Sequence, residues 1–419
     1  MTARPDASQP AAVIIGATLP GTTSMVRSLG RRGVDLTLID RRHGVPMSSR
    51  YTDRTVVISD ETAAAEHDDD ERFDETRRLP TTWLLEHVES TYADGTVLLC
   101  GSDEAAWFLA HNHDRLSERF IVAGSSWPAV ETLWDKATAW QLAESIGCSV
   151  PLWYQPGTVD ELESIATSLD FEQSSWMIRA EAWSSAATSP AGQLTMPAGP
   201  TSETLLERSL DLHRRTGELP TIAEVIPGPS SSCIGVSMVI GPDGSTLVEY
   251  SIRRLEIYPY VAVGRDSPNH PGGVVHAETM HDSEAIDAAG RMAKAAGYRG
   301  AVMFEFRRRP SGELVFLKVD PRVCNTLAIS TAVGQDEAIA LYDGFRGRAV
   351  DGPGRYQDGV GWIWAGAWAY GIPRRRARQG LIGQVAGLAR RAPSIRASGD
   401  LSLTDPVPVL DSLRRGLAR

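Results

Sequence analysis

The stretch Gly300-Ala-Val-Met-Phe-Glu-Phe-Arg-Arg-Arg-Pro-Ser-Gly-Glu-Leu-Val-Phe-Leu-Lys-Val-Asp-Pro-Arg-Val-Cys-Asn325 decides the fold. Two apolar runs, 300–307 and 314–319, flank a turn containing Pro and Gly, which predicts a pair of strands. Strand alternation places Met303, Glu305 and Arg307 on one face and Phe304 and Phe306 on the other. A carboxylate set between two buried aromatics is the pattern of a half-buried catalytic face. The spacing of two puts Lys318 and Asp320 on a common face as well. A helical stretch after Asn325 runs to about Phe345.

Upstream of this pair the pattern is also strand-rich. WMIRAEA from Trp176, TIAEVIPG from Thr221 and CIGVSMVIGPDGSTLVEYSIRRL from Cys233 read as strands, and the GPDG turn (Gly241–Gly244) signals a hairpin. A helix over Glu203–Thr216 separates the first two, and a Ser-, Gly- and Pro-rich run around Ser184–Ser202 reads as a mobile loop. Glu284–Ala296 reads as a helix, as does the whole stretch Trp127–Gly147. Near the start, AAVIIGATLPGTTSMVRSLGRRGVDLTLID gives a strand, a helix with Met25, Val26 and Leu29 as its apolar stripe, and a second strand closing at Asp40. This βαβ opening predicts a parallel sheet. Gly16-Ala-Thr-Leu-Pro-Gly21 lacks the GxGxxG spacing, so a tight turn is preferred to a dinucleotide loop, with Asp40 in the place of a ribose-binding acid. The helix start there can still attract an anion.

After residue 125 the pieces come in a telling order: Trp134-Asp135-Lys136, Trp176-Met-Ile-Arg179, Ala223-Glu-Val-Ile-Pro-Gly228, Arg253-Arg-Leu-Glu-Ile-Tyr-Pro259, Phe304-Glu-Phe306 and Lys318-Val-Asp-Pro-Arg322-Val-Cys-Asn325. This order resembles the ATP-grasp superfamily, specifically its stand-alone carboxylate–amine ligases, over almost the whole chain. The resemblance implies an α/β architecture with an N-terminal parallel-sheet domain ahead of the ATP-binding part. The expected divisions are a disordered lead-in (1–10), an N-terminal α/β domain (11–125), a small ATP-grasp lobe (126–220), a C-terminal lobe (221–345) with antiparallel strands, and a C-terminal extension (346–419). It further implies an ATP- and Mg²⁺-dependent ligase that makes an amide bond through an acyl-phosphate. Lys136 and Arg179 match the two cations that meet the triphosphate, and arginine keeps that role because its planar fork binds phosphate. Glu224, Val225 and Ile226 match the hinge whose backbone faces adenine. Glu305 and Asp320 match metal ligands, Arg254 a basic residue of the site, and Arg322 the cation that stabilises the acyl-phosphate. Asn325 matches a substrate-orienting residue.

Two positions depart from that pattern. Lys318 stands where the resemblance expects a metal-binding carboxylate, and an ammonium has only donors to offer. Glu256 stands where it expects an arginine. A swapped Glu256–Lys318 ion pair, truncation of which should be non-additive, is the expectation drawn from this exchange. Three readings of the site stay open at this stage: Lys318 stands in for a cation beside a single metal, Glu256 supplies the missing ligand, or the site is dead and the chain is a degenerate ATP-grasp protein acting as a binding or scaffolding partner.

The chain has 419 residues, 42% hydrophobic and 23% charged, an ordinary globular composition. Its net charge of −11 argues against general nucleic-acid binding. No apolar run approaches the ~20 residues that span a bilayer, and the expected setting is cytoplasmic, with small-molecule carboxylate and amine partners and homodimerisation as the default. Basic residues are nearly all arginine; Lys136, Lys294 and Lys318 are the three lysines. Cys100, Cys148, Cys233 and Cys324 are scattered, which suggests neither a zinc site nor a disulfide framework. The acidic run Asp68–Glu71 reads as a solvated loop. Trp362, Trp364 and Trp368 with the run Arg374–Arg378 read as packing on the core or a second subunit in preference to a membrane-surface patch.

Overall fold

The computed structural model describes residues 9–17, 20–59, 61–62, 79–179, 195–258, 273–370, 386–387 and 389–417. Strand β1 (Ala12–Ile15) is apolar throughout and wholly buried, as a strand covered on both faces must be. With β2 (Leu36–Asp40), β3 (Arg54–Val57), β4 (Val97–Cys100) and β5 (Ile121–Val122) it forms a parallel sheet in the order β3-β2-β1-β4-β5. The helix Pro20–Arg31 buries Met25, Val26 and Leu29 on one face of this sheet. The helices Thr81–Thr91 and Asp103–His111 cover the other through Leu84, Leu85, Val88 and Phe108. The chain leaves β1 through Gly16 at φ +82°, a conformation in which a side chain would also overlap Ser102.

A second, antiparallel sheet is small. It comprises β6 (Trp153–Tyr154), β7 (Trp176–Arg179), β8 (Thr195–Pro197) and β9 (Thr221–Glu224) in the order β6-β9-β7-β8. The helices Val159–Ser168 and Ser202–Thr216 pack on it through Leu162, Ala166 and Leu205 against Trp176, Ile178 and Ile222.

The third sheet has seven strands: β10 (Cys233–Ile240), β11 (Thr246–Tyr258), β12 (Gly273–Thr279), β13 (Gly300–Arg308), β14 (Leu314–Asp320), β15 (Gly361–Ile363) and β16 (Ile395–Ser398). Their order is β14-β13-β10-β11-β12-β15-β16, antiparallel except for the last pair. Phe304, Phe306 and Phe316 on one face pack with Ile234 and Val236 against the helices Lys136–Ser145 and Ser283–Ala295. Met303, Tyr250 and Ile252 on the other face share a core with the helix Pro20–Arg31 and with Leu341 and Tyr342 of the helix Glu337–Phe345. Glu305 therefore points to the side where the N-terminal sheet and the seven-stranded sheet meet, as alternation from Met303 dictates.

Several local features differ from the sequence reading. Trp127–Gly147 is two helices, Trp127–Trp134 and Lys136–Ser145, because Asp135 leaves the helical conformation and its Oδ1 accepts from the Thr138 N–H at 2.8 Å. The stretch after Asn325 is likewise two helices, Ala328–Ala332 and Glu337–Phe345, separated at Gly334 with φ +81°. Strands β6, β12, β15 and β16 and the helix Val159–Ser168 carry too little or too short a pattern to read from sequence. Strand β9 pairs inside the small sheet, and β15 and β16 extend the large one. Trp362 on β15 is fully buried in the shared core, while the Arg374–Arg378 run, the Asp68–Glu71 run, Pro259 and most of the Ser184–Ser202 loop lie outside the described residues. All four cysteines are free. No helix among the described residues is long and apolar enough to cross a membrane.

Candidate active site

The site forms where the end of β14 lies against the middle of β13, beside the N-terminal sheet. Glu305 lies directly opposite Lys318 in the β13–β14 ladder, and Met303 lies opposite Asp320. The register slips between Glu305 and Phe306, so that Leu317 is the extra residue and Lys318 joins the Glu305 face. Lys318 Nζ then lies 2.9 and 3.1 Å from the two Asp320 carboxylate oxygens and 3.5 Å from Glu305 Oε1. Arg254, from β11, donates from Nη2 to the same Glu305 Oε1. Burial pushes the Asp320 carboxyl up, but Lys318 and Arg322 outweigh it and hold it well below the usual range. Burial also lowers the Lys318 ammonium, helped by the Arg254 and Arg322 charges and opposed by Asp320.

Arg322 follows β14 by two residues. Its side chain is 9% exposed; Nε donates to Asp103 Oδ1 at 2.5 Å and Nη1 to the Val323 carbonyl at 3.0 Å. Burial opposes its charge, yet Asp103 and Asp320 keep it raised above the ordinary arginine value. Asp103 was not singled out from the sequence. It opens the helix after β4, at the carboxyl end of a parallel strand, where open α/β sheets place their ligand residues; Ser102 caps that helix by accepting from the Ala105 N–H. Asn325 is half-buried and its Oδ1 is enclosed with no hydrogen-bond partner among the described residues. It lies beside the start of the helix Pro20–Arg31, where a side chain on Gly21 would overlap the Cys324 carbonyl.

Lys136 is the first residue of its helix, with Asp135 as the cap. It is half-buried, and burial, then the Arg179 and Lys318 charges, push its ammonium well below the usual value. Arg179 ends β7. The structure thus brings Lys136, Arg179, Lys318, Asp320, Glu305, Arg254 and Arg322 into one electrostatic neighbourhood. Five cations face two site carboxylates and Asp103, an excess that suits a polyanion. Glu224 and Val225 use their backbone N–H groups on the Leu152 and Ser175 carbonyls, both at 2.8 Å. The Glu224 side chain pairs with Arg309 at 2.5 and 2.7 Å, which lowers its pKa. Ile226 is fully buried. Arg307 donates to the Gly228 carbonyl and, at 3.2 Å, to that of Pro229. Two arginines of the 307–309 run therefore clamp the segment that connects the small sheet to the large one, a role the sequence reading missed.

The expected Glu256–Lys318 pair is not formed. Arg254 lies opposite Ala277, but Glu256 lies opposite His276, the adjacent β12 residue. The bulge at Leu255 turns Glu256 to the other face of the sheet, where its Oε2 stands 3.4 Å from Arg391. Glu256 is consequently not a substitute metal ligand. Asp40 is not aimed at a ribose either, since its Oδ2 accepts from the Ala17 N–H at 2.5 Å and fixes the turn after β1.

Glu305 and Asp320 are oxygen ligands of the right kind for magnesium. Both are already engaged by Lys318, and Glu305 by Arg254 as well. Among the described residues no group of three or more His, Cys, Asp and Glu side chains stands close enough to hold a metal ion. These residues do not fit a two-ion centre.

No family model matches the sequence, and no curated protein matches it. Solved structures do. Biotin carboxylase from Campylobacter jejuni in complex with β,γ-ATP matches with a TM-score of 0.57 at 15% identity, over 82% of this chain and 72% of that one. N5-carboxyaminoimidazole synthetase from Staphylococcus aureus complexed with ADP gives 0.59 at 12%, over 85% and 81%. Phosphoribosylglycinamide synthetase from Anaerococcus prevotii gives 0.55 at 14%, over 81% and 76%. The chain has the fold of the ATP-grasp enzymes.

Proposed function

We propose that this chain is an ATP-dependent carboxylate–amine ligase. The observation that carries the reading is the gathering of cations from three separate parts of the chain, in which Lys136 feels the charges of Arg179 and Lys318, and Lys318 that of Arg322. Structural neighbours of the same fold include complexes with ADP and with the β,γ-ATP ligand named above, which supports nucleotide binding there. A biotin carboxylase domain dimer from Hydrogenobacter thermophilus is described with MgADP.

Lys136 and Arg179 hold the phosphates, and the segment Glu224–Ile226 lines the base. An oxygen of the substrate carboxylate attacks the γ-phosphorus, the bond to the bridging oxygen breaks, and ADP leaves. The amine nitrogen then attacks the acyl carbon. The C–O bond to phosphate breaks, phosphate leaves with the electron pair, and the amine proton passes to solvent. Arg322, charged and fixed by Asp103, stabilises the oxyanion that forms between these events. Asn325, with its enclosed carbonyl, orients the substrate. Small-molecule substrates, a homodimer and a cytoplasmic setting complete the proposal.

The test is hydroxylamine trapping. Purified protein, ATP and a panel of carboxylates are incubated with hydroxylamine, and hydroxamate is measured with ADP. Equimolar hydroxamate and ADP with one class of carboxylate supports the ligase. Tight nucleotide binding with no carboxylate-stimulated ADP release overturns it in favour of the degenerate binding protein.

A further inference from the structure

We infer that the Lys318 ammonium is a resident cation that takes the place of one magnesium ion, so that this site binds nucleotide triphosphate without requiring the metal. The inference rests on the ATP-binding reading above and deepens it. Lys318 Nζ lies 2.9 and 3.1 Å from Asp320 and 3.5 Å from Glu305, between the two carboxylates that the fold would use for metal. The ladder holds it there: Lys318 is opposite Glu305, and the slip at Leu317 directs it onto that face. Its side chain is 33% exposed, so it is not sealed in the core.

The charge balance points the same way. Glu305 is satisfied by Arg254 and Lys318, and Asp320 by Lys318 with Arg322 Nη2 at 4.0 Å. A divalent ion entering this group would have to displace an ammonium and sit beside two guanidinium groups. A triphosphate meets the opposite situation, since burial first and then the charges of Arg179 and Lys318 already lower the Lys136 ammonium. An anion among these cations relieves their repulsion. Lysine binds phosphate as a point charge, which is the part a metal ion would otherwise play in neutralising it.

The test is calorimetric titration of the full chain with AMP-PNP, in magnesium and in EDTA, for the parent, Lys318→Met, Lys318→Arg and Lys318→Glu, each checked for folding by thermal melting. The parent should lose less than about threefold in affinity on removal of magnesium. Lys318→Met should lose at least tenfold in EDTA, and Lys318→Arg should retain most of the parent's affinity. Lys318→Glu should bind poorly in EDTA and recover on addition of magnesium. A parent that binds only with magnesium, or a folded Lys318→Met that binds as well as the parent in EDTA, overturns the inference while leaving the nucleotide site intact. A parent that binds no nucleotide in either condition overturns the ATP-binding reading itself.

Discussion

Arg322 Nε stands 2.5 Å from Asp103 Oδ1, a contact between residues 219 positions apart that ties the loop after β14 to the helix following β4. It fixes a guanidinium where the N-terminal sheet meets the seven-stranded sheet. Arg322 is thus held by the N-terminal part of the chain, so the two parts cannot shift independently without breaking a buried cation's bond.

Asp103→Asn keeps the shape and removes the charge. Because Arg322 is buried and Asp103 is about half exposed, the cost should be about 1–3 kcal/mol, the range for leaving a charged donor poorly satisfied. The denaturant midpoint should fall with an unchanged slope. Hydroxamate formation should fall at least tenfold. A variant as stable and as active as the parent would show that Asp103 does not hold Arg322.

Lys318 and Glu256 lie on opposite faces, so their truncations should be independent. The stability losses of Lys318→Ala and Glu256→Ala should add to within about 0.3–0.5 kcal/mol in the double variant. Lys318→Ala with Asp320→Ala, by contrast, should couple by about 0.5–3 kcal/mol, as expected for residues in one network. Coupling between Lys318 and Glu256 instead would contradict the bulge at Leu255.

Glu337 is fully buried at the start of its helix and accepts from Ser237 Oγ at 3.1 Å and Tyr250 OH at 3.0 Å. Burial raises its carboxyl to about 7, from an ordinary 4.5. Below about pH 4.5 both folded and unfolded chains hold this proton. Between about 4.5 and 7 the unfolded chain releases it while the folded one keeps it, so stability falls as pH rises through that window and levels off above it. The full loss is of order 3 kcal/mol. Glu337→Gln removes the titration and should flatten that portion of a stability-versus-pH curve measured by urea unfolding. An unchanged slope in the variant would assign the pH dependence elsewhere.

Gly21→Ala tests how closely the first helix meets the loop after β14. A methyl group there would overlap the Cys324 carbonyl, backbone that cannot simply rotate away. The expected cost is about 1–3 kcal/mol, as for overpacking a core, seen as a lower melting temperature. Binding of AMP-PNP should weaken too, since Arg322 and Asn325 flank Cys324. Gly95→Ala, where nothing lies within 4 Å of the added carbon but φ is +79°, is the control for backbone strain alone.

The fold was legible because its evidence is local and repeated. Apolar runs at Ala12–Ile15 and Cys233–Ile240, the GPDG turn and the Asp135-Lys136 helix start each depend on a few neighbouring residues. Alternation alone put Lys318 with Asp320 and Glu305 with Met303, while the slip at Leu317 put the two pairs on one face. Glu256 could not be read the same way, because one extra residue in β11 reverses the alternation and nothing in Arg254-Leu-Glu256 announces it. Asp103 was invisible for another reason. Its partner lies in a different domain, and a helix-starting acid after a serine cap is an ordinary sequence.

The amino-acid sequence by itself determined the main elements, their order, and the chemical inventory of the site: two acids and five cations, one of them a lysine where an acid was expected. The choice of partners was made by the tertiary structure. Lys318 meets Asp320 and Glu305, Glu256 meets Arg391, and Arg322 meets Asp103, because ladder register and the docking of the two larger sheets set which side chains come within a few ångströms of one another. Charge complementarity decides among pairs only after those distances are fixed, since Coulomb attraction in a partly wet site falls off over such lengths.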